Sequence, residues 1–513
     1  MAKVSFAIGL TITGLLVSGC TLGPDFNRPV SPEVTSWSTE NQAANIAKPS
    51  SASGQALLAD KDIPGLWWQL FRSKALNALI EQALTRNPGL QSAQATLTAA
   101  QEDMLAKSGS LLPKLDAGLS TKHQKVSGAQ FGNPNGGGSV FTLYNASVNV
   151  SYTLDVFGGL QRQIEALEAQ AEYQRFQLEG AFLTLAANIV TSVIQEASLR
   201  AQISATEEIT QAYSEQLDIT KQQFEIGSVA KAAVLSQQTL LEQTRTSLPT
   251  LHKQLAPIRH RLNVLVGNIP GSAGLIAQFT LNDLQLPAQI PLSLPSKLVG
   301  QRPDIRAQEA VLHAASAQIG VVAASVFPDF TISANLSSIA TTAGNLFMPG
   351  TAVWGVGATL LQPLFRGGEF THKKRAAIAT YEQAAADYRS TVLKALQDVA
   401  DTLSALEFDN AELQAQDAIA HTATTSLELI QSQLQVGAAS HLDLLDAQRA
   451  YQQARLGQLK AQAQRFADTA ALFQALGGGW WNRDDLAKTI SAAQKPTHQA
   501  TTLFEIPRFR TFK

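Results

Sequence analysis

The sequence predicts an α+β membrane protein in which a β-barrel, closed only by several copies of the chain, continues into long helices. Three observations predict it: a tandem internal repeat, short runs that alternate apolar and polar residues, and two proline-free stretches at 160–226 and 369–436. Asn87-Pro88-Gly89-Leu90 matches Arg302-Pro303-Asp304-Ile305 at an offset of 303 − 88 = 215. Leu112-Pro113-Lys114-Leu115 meets Phe327-Pro328-Asp329-Phe330 at the same offset, and Phe157-Gly158-Gly159 answers Phe365-Arg366-Gly367-Gly368. Gly227 pairs with Gly437, and Leu265-Val266-Gly267 with Ala475-Leu476-Gly477, at 437 − 227 = 210. Shared punctuation in shared order makes the architecture a tandem duplication of one unit.

The N-terminus comes first. Lys3 supplies a positive flank and Val4 to Val17 a short apolar stretch. That is signal-peptide anatomy, because a spanning helix wants about 18 or more unbroken apolar residues. Ser18 and Gly19 precede Cys20, the single cysteine of the 513-residue chain. This run resembles a bacterial lipoprotein processing site, with Cys20 lipidated as the first mature residue. The alternative is an ordinary cleaved signal with an incidental cysteine. A disulfide has no second thiol to use, and nothing nearby would depress the Cys20 pKa for catalysis. Thr21, not Asp, follows, which favours the outer membrane.

The segments are then 1–19 signal peptide, 20–66 lipidated N-terminal segment, 67–270 first repeat, 271–300 linker, 301–481 second repeat and 482–513 tail. The tail carries Pro496 and Pro507 and reads as irregular.

Hydrophobic residues make up 45% of the chain and charged residues only 16%, so much surface is expected to be hidden in membrane or against other copies. A formal charge of −2 offers no basic field for nucleic acid. Beyond the signal no stretch reads as a spanning helix. A chain that crosses a bilayer must then do so as strands in a closed barrel.

Each unit starts with a helix, Leu90 to Ala106 and Ile305 to Ala323. A strand pair follows. Ala146, Val148, Val150, Tyr152 and Leu154 alternate with Ser147, Asn149, Ser151, Thr153 and Asp155. Phe330, Ile332, Ala334 and Leu336 alternate in the same way, and Ala352, Trp354, Val356, Ala358 and Leu360 share one face. Such runs fit tilted strands with lipid outside and water inside; a two-sided soluble sheet would show the same period. Links at 122–145 and 337–350, rich in Gly, Asn and Ser, read as long exposed loops. Long helices come next, each up to about 100 Å at 1.5 Å per residue. Leu178, Phe182, Leu185, Ile189 and Val193, and Val392, Leu396, Val399 and Leu403, follow the spacing of packed coiled helices. Gly227 and Gly437 interrupt, and a second helix returns. Four strands per chain cannot close a barrel, so the chain must assemble with itself.

The residues resemble the TolC-like outer-membrane efflux channels, in the OprM- and NodT-type lipoprotein branch that serves RND pumps. Carrying the resemblance are Gly19-Cys20, Gly23-Pro24-Asp25-Phe26-Asn27-Arg28-Pro29, Trp67-Trp68, Asn87-Pro88, Leu154-Asp155-Val156-Phe157-Gly158-Gly159, Gln301-Arg302-Pro303-Asp304, Leu445-Asp446-Ala447-Gln448 and Ala475-Leu476-Gly477-Gly478-Gly479-Trp480. It implies a homotrimer, a twelve-stranded barrel in outer-membrane lipid and a twelve-helix periplasmic tunnel. A periplasmic membrane-fusion adaptor and an inner-membrane RND pump would complete the conduit. The expected function is a passive exit duct for drugs and other small toxic molecules. Protein (type I) secretion, heavy-metal efflux or a scaffold lipoprotein are the alternatives.

Beyond Gly437, Asp443 and Asp446 stand three apart on one helical face. Residues alone allow an ordinary solvated face. The resemblance implies two carboxylate rings at the periplasmic gate, attracting cations and repelling each other. Polar ties that hold this gate shut in the family would fall here on Leu434, Ala439 and Ala233, which cannot make them; Lys231 and Gln433 are nearby candidates. Trp67 and Trp68 are expected to pack in a core.

No enzyme is expected. His372, His421 and His441 are scattered without metal-ligand spacing, and Gly136-Gly137-Gly138 lacks the Lys and Ser/Thr of a phosphate loop. Three Met and one Cys give no soft-metal site. Neither a metal nor a cofactor is expected.

Overall fold

The computed structural model describes residues 21–30, 55–59, 61–127, 129, 132, 138–271, 276–293 and 295–483. Cys20, the signal segment and residues 484–513 of the tail lie outside the described residues.

Helix α1 (Lys74–Arg86) and helix α2 (Pro88–Ser108) open the first unit. Ser73 Oγ accepts the Leu76 N–H, and Asn87 Oδ1 accepts that of Leu90, so each start satisfies a donor the helix leaves free. Pro88 and Pro303 sit in the first turn, where a missing N–H costs nothing. For that reason the helices begin a little earlier than the apolar spacing suggests. Strands β2 (Lys114–Val126) and β3 (Ser139–Leu154) follow, then α3 (Gly159–Glu225) and α4 (Lys231–Leu265). The second unit repeats the order: α6 (Pro303–Ala324), β5 (Asp329–Ala340), β6 (Ala352–Leu361), α7 (Glu369–Gln435) and α8 (His441–Ala475). Helices α3 and α7 both have 67 residues, and α4 and α8 both have 35.

Two readings of the loops need correction. Residues 122–126 and 139–145 belong to β2 and β3, and 337–340 to β5; the connections proper are shorter. The polar residues there have the composition of a loop, yet the backbone ladder continues past the apolar band, with Lys122 opposite Leu143 and Val126 opposite Ser139. A second correction concerns β1 (Ala56–Ala59) and β4 (Gln289–Leu292), which pair in parallel, followed by α5 (Pro295–Gln301). The stretch 271–300 thus holds ordered elements. Thirdly, α3 does contain an 18-residue window apolar enough to span a membrane, with mean hydropathy 1.3. That window is 56% buried within the chain, so its apolar character belongs to packing.

The four long strands form one antiparallel sheet in the order β2-β3-β5-β6. Its register sorts the side chains. Leu115, Val150, Ala334 and Val356 share one rung and one face, and Leu119, Ala146, Ser338 and Ala352 another rung of that face. The opposite face carries Asp116, Asn149 and Asn335, then Thr153, Thr331 and Thr359. Thr153 and Thr331 hydroxyls are 3.2 Å apart, a pair that suits water on that side. Among the described residues, strands β2 and β6 have no partner on their outer edges.

Where the helices meet β1 and β4, Trp67, Phe71, Ile80, Phe279, Phe473 and Leu476 form a dry core. Trp67 is 1% and Trp68 6% exposed, and Trp67 packs on Phe473 at 5.5 Å. The expected packing residues of α3 and α7 join this core, including Ile189, Val193, Val399 and Leu403. Arg302 ties the second unit together, donating to Asp304, to Asp398 and to the carbonyl of Ala475. Asn87 has the matching place in the first unit, with Nδ2 donating to the Leu265 carbonyl.

Candidate functional site

The ends of the helical hairpins farthest from the sheet are built by two glycines. Gly227 has φ +76 and Gly437 φ +73, the left-handed region that side chains avoid. Each closes its helix with paired backbone bonds: Gly227 N–H to Phe224 O at 2.9 Å with Ser228 N–H to Gln223 O at 2.8 Å. Gly437 N–H to Leu434 O at 3.1 Å and Ala438 N–H to Gln433 O at 2.8 Å repeat the motif. A Cβ on either glycine would meet no atom within 4 Å beyond its chain neighbours, so the turns are open outward.

The returning helices differ. Ser440 caps α8, its Oγ accepting the Asp443 N–H at 3.2 Å while Asp443 Oδ2 accepts from Ser440 N at 2.8 Å and Oγ at 2.6 Å. Ala230 gives α4 no such cap. The Ser440 hydroxyl, then its N–H, hold the Asp443 carboxyl below the usual carboxylate range, so Asp443 is charged throughout the neutral range. Asp446, one turn on, is exposed and lies 3.7 Å from the Arg449 guanidinium. The two aspartates therefore share an exposed face within one chain, with Leu444 and Leu445 buried behind them.

What lies behind them was not legible from spacing. Ile209, Tyr213 and Leu217 of α3, Leu240 and Leu241 of α4, and Leu445 of α8 form a separate apolar cluster near the tips. Tyr213 Oη donates to the Gln448 carbonyl at 2.6 Å, and burial raises the phenol pKa. Thr244 Oγ1 donates to Gln452 Oε1 at 3.3 Å. These contacts join the two hairpins of one chain. Leu434, Ala439 and Ala233 are half-buried, while Lys231 is exposed. A tyrosine within a long helix is the one signal that could have pointed to this tie, because a buried phenol needs an acceptor.

A second ordered feature lies beside the sheet–helix junction. Arg162, 4% exposed, donates to the carbonyl of Leu22 at 3.1 Å and to Asp25 at 2.7 Å, and pairs with Glu165 at 2.7 Å. Phe26 stacks on His313 at 4.4 Å, and His313 Nε2 is 2.9 Å from Glu165. Gly320 leaves the room for this strap: a Cβ there would stand 2.8 Å from Leu22 O. Among the described residues no group of three His, Cys, Asp or Glu is placed to hold a metal ion.

The outer membrane efflux protein family model matches residues 79–268 and 294–478, most of the chain. The chain belongs to this family. It is 28% identical over 500 residues to the probable efflux pump outer membrane protein TtgC of Pseudomonas putida, covering 95% of this chain and 99% of that one. It is 30% identical over 430 residues to the pyoverdine export outer membrane protein OpmQ of Pseudomonas aeruginosa, covering 82% and 89%. The cation efflux system protein CusC of Escherichia coli shares 27% over 91% of this chain and 97% of its own. Among solved structures, the outer-membrane channel OprN superposes with a TM-score of 0.80 at 25% identity, over 90% of this chain and all of that one. The open state of the Neisseria gonorrhoeae MtrE outer membrane channel gives 0.78 at 25%, over 90% and 99%. The protein is thus an outer-membrane channel component of an efflux system, and its family consists of transport components.

Proposed function

We propose that three copies close a twelve-stranded barrel in the outer membrane and a twelve-helix periplasmic tunnel, forming a passive exit duct for drugs and other small toxic molecules. An inner-membrane RND transporter drives export, and a periplasmic adaptor joins it to the hairpin tips. The observation that carries this is the four-stranded sheet: apolar on one face, polar on the other, and unpaired at both β2 and β6. Open edges are not tolerated in lipid, so the edges must meet those of other copies. The reading of a tandem duplication is supported by the equal helix lengths and by one family model matching twice, at an offset of 294 − 79 = 215. Asp443 and Asp446 become two stacked rings at the mouth, and Cys20 becomes the lipidated mature N-terminus, positioned by the 21–28 strap.

Native mass spectrometry in detergent tests the assembly. A trimer is expected, each subunit starting at a diacylglyceryl Cys20. A folded, stable monomer would refute the barrel argument, and an unmodified start elsewhere would remove the anchor. Likeness to the cation efflux system protein CusC supports a second reading, efflux of metal cations, which export assays with heavy-metal salts against organic dyes would separate.

A further inference from the structure

At the end of the sheet remote from the helices, the β5–β6 connection folds back over the apolar face. Phe347 N–H donates to Ser338 Oγ at 3.1 Å, and the Ser338 and Thr351 hydroxyls are 2.8 Å apart. Beneath lies a cavity of about 630 Å³ lined by Leu119, Ala146, Val148, Leu336, Phe347 and Met348. That volume falls within the roughly 300–1,000 Å³ of small-ligand sites. Phe347 has φ +71, an uncommon and costly conformation for a bulky residue. Yet Phe347 is 78% and Met348 55% exposed, so burial within the chain does not offset the strain. Strain held without an internal reward points to a function outside the chain.

What covers the cavity follows from its position. Other copies reach the sheet through the β2 and β6 edges, whereas the cavity opens on the face and touches all four strands. On that face β2 continues upward through Thr121, His123 and Lys125, and His123 Nδ1 is held 2.9 Å from Thr142 Oγ1. Lys125 is 125 − 119 = 6 residues beyond Leu119. At about 3.4 Å per residue that is about 20 Å, the span of an extended fatty acyl chain.

We propose that this cleft binds an acyl chain of a phosphate-bearing outer-leaflet lipid, seated between Leu119, Leu336 and Phe347, with the headgroup phosphate met by Lys125. The assignment rests on the reading of the sheet as a barrel wall with its apolar face outward. The test uses the full-length trimer in nanodiscs holding lipid A with a diazirine in one acyl chain, followed by irradiation and peptide mass spectrometry. Adducts are expected on Leu119, Phe347 and Met348, severalfold above those on Val356 and Leu360 lower on the same face. In a Phe347→Gly/Met348→Ser variant, which keeps the turn's positive φ, labelling should fall to that background. Lys125→Glu should lower labelling by lipid A but not by a diazirine phosphatidylcholine. Even labelling along the face, a double variant labelled like the parent, or adducts to a second copy would overturn the site. Absence of adducts from the whole face, Val356 and Leu360 included, would instead refute the outward orientation itself.

Discussion

Single residues decide the tips of this protein. Gly227 and Gly437 were legible in the sequence because a helix that reverses needs one residue at positive φ, and the two stand at equivalent points of the repeat. Asp443 was legible as an exposed acid, but its role as the α8 capping partner of Ser440 was not, since both roles use the same spacing. In the proposed trimer, replacing Asp443 and Asp446 by Ala should weaken cation selectivity and abolish block by a trivalent cation added from the periplasmic side. Single-channel recording in planar bilayers reads this, and equal block in both proteins would remove the aspartates from the mouth. A second titratable site sits higher on the hairpin. Burial first, and a hydrogen bond to Asp468 second, push the Asp409 carboxyl up to about 7. Arg465, 2% exposed, opposes the rise, and Glu412 adds to it. Between about pH 4 and pH 7 the folded chain keeps a proton that the unfolded chain has released, so stability falls as pH rises through that window. Asp409→Asn should flatten this decline and raise the melting temperature at pH 8 by a few degrees relative to the parent. An unchanged pH profile would show that Asp409 ionises freely.

At the scale of elements, periodicity carried most of the information and failed where pairing is long-range. The long helices end two residues before the positions marked by glycine, because the Schellman bonds there are local. The β1–β4 pair escaped notice: four-residue strands joining Ala56 to Gln289 leave no local pattern. The packing partners across hairpins were equally hidden, since a 67-residue apolar stripe does not say which turn meets which neighbour. Leu445 is the clearest case, 5% exposed and surrounded by α3 and α4 side chains. Leu445→Ala should cost about 2–5 kcal/mol locally, as a large-to-small change in a packed cluster does. Hydrogen exchange of residues 209–217 should accelerate, and spontaneous openings of the reconstituted channel should become more frequent. Unaltered exchange there would mean the cluster does not hold the hairpins together. Tyr213→Phe should act in the same direction and more weakly, because it removes one bond and leaves the packing.

At the scale of the whole molecule, the long helices and the antiparallel strands could be read because three independent patterns agreed: repeat, alternation and uninterrupted helix. The assembly could be inferred only by what a single chain lacks, namely partners for the edges of β2 and β6. The strap of residues 21–28 illustrates the remainder. Its Gly-Pro-Asp-Phe motif was visible, but that Arg162 grips it across more than 130 positions of sequence depends on tertiary approach. A Gly320→Val variant should displace the strap and expose it to protease, while a strap equally protected in both proteins would assign its hold to other contacts. The equal lengths of α3 and α7, and of α4 and α8, have a wider consequence. Helices that rise about 1.5 Å per residue count distance in whole residues, so the proposed duct is a ruler with a fixed gradation. Removing two turns from one arm alone leaves the far rim of the proposed trimer uneven, and a rim that seats against the proposed adaptor cannot tolerate a step. Removing the same two turns from all four arms keeps the rim level and shortens the reach by about 10 Å. Changes in length must therefore arrive in matched sets, so the reach of the proposed duct is a property of four helices at once and of no single side chain.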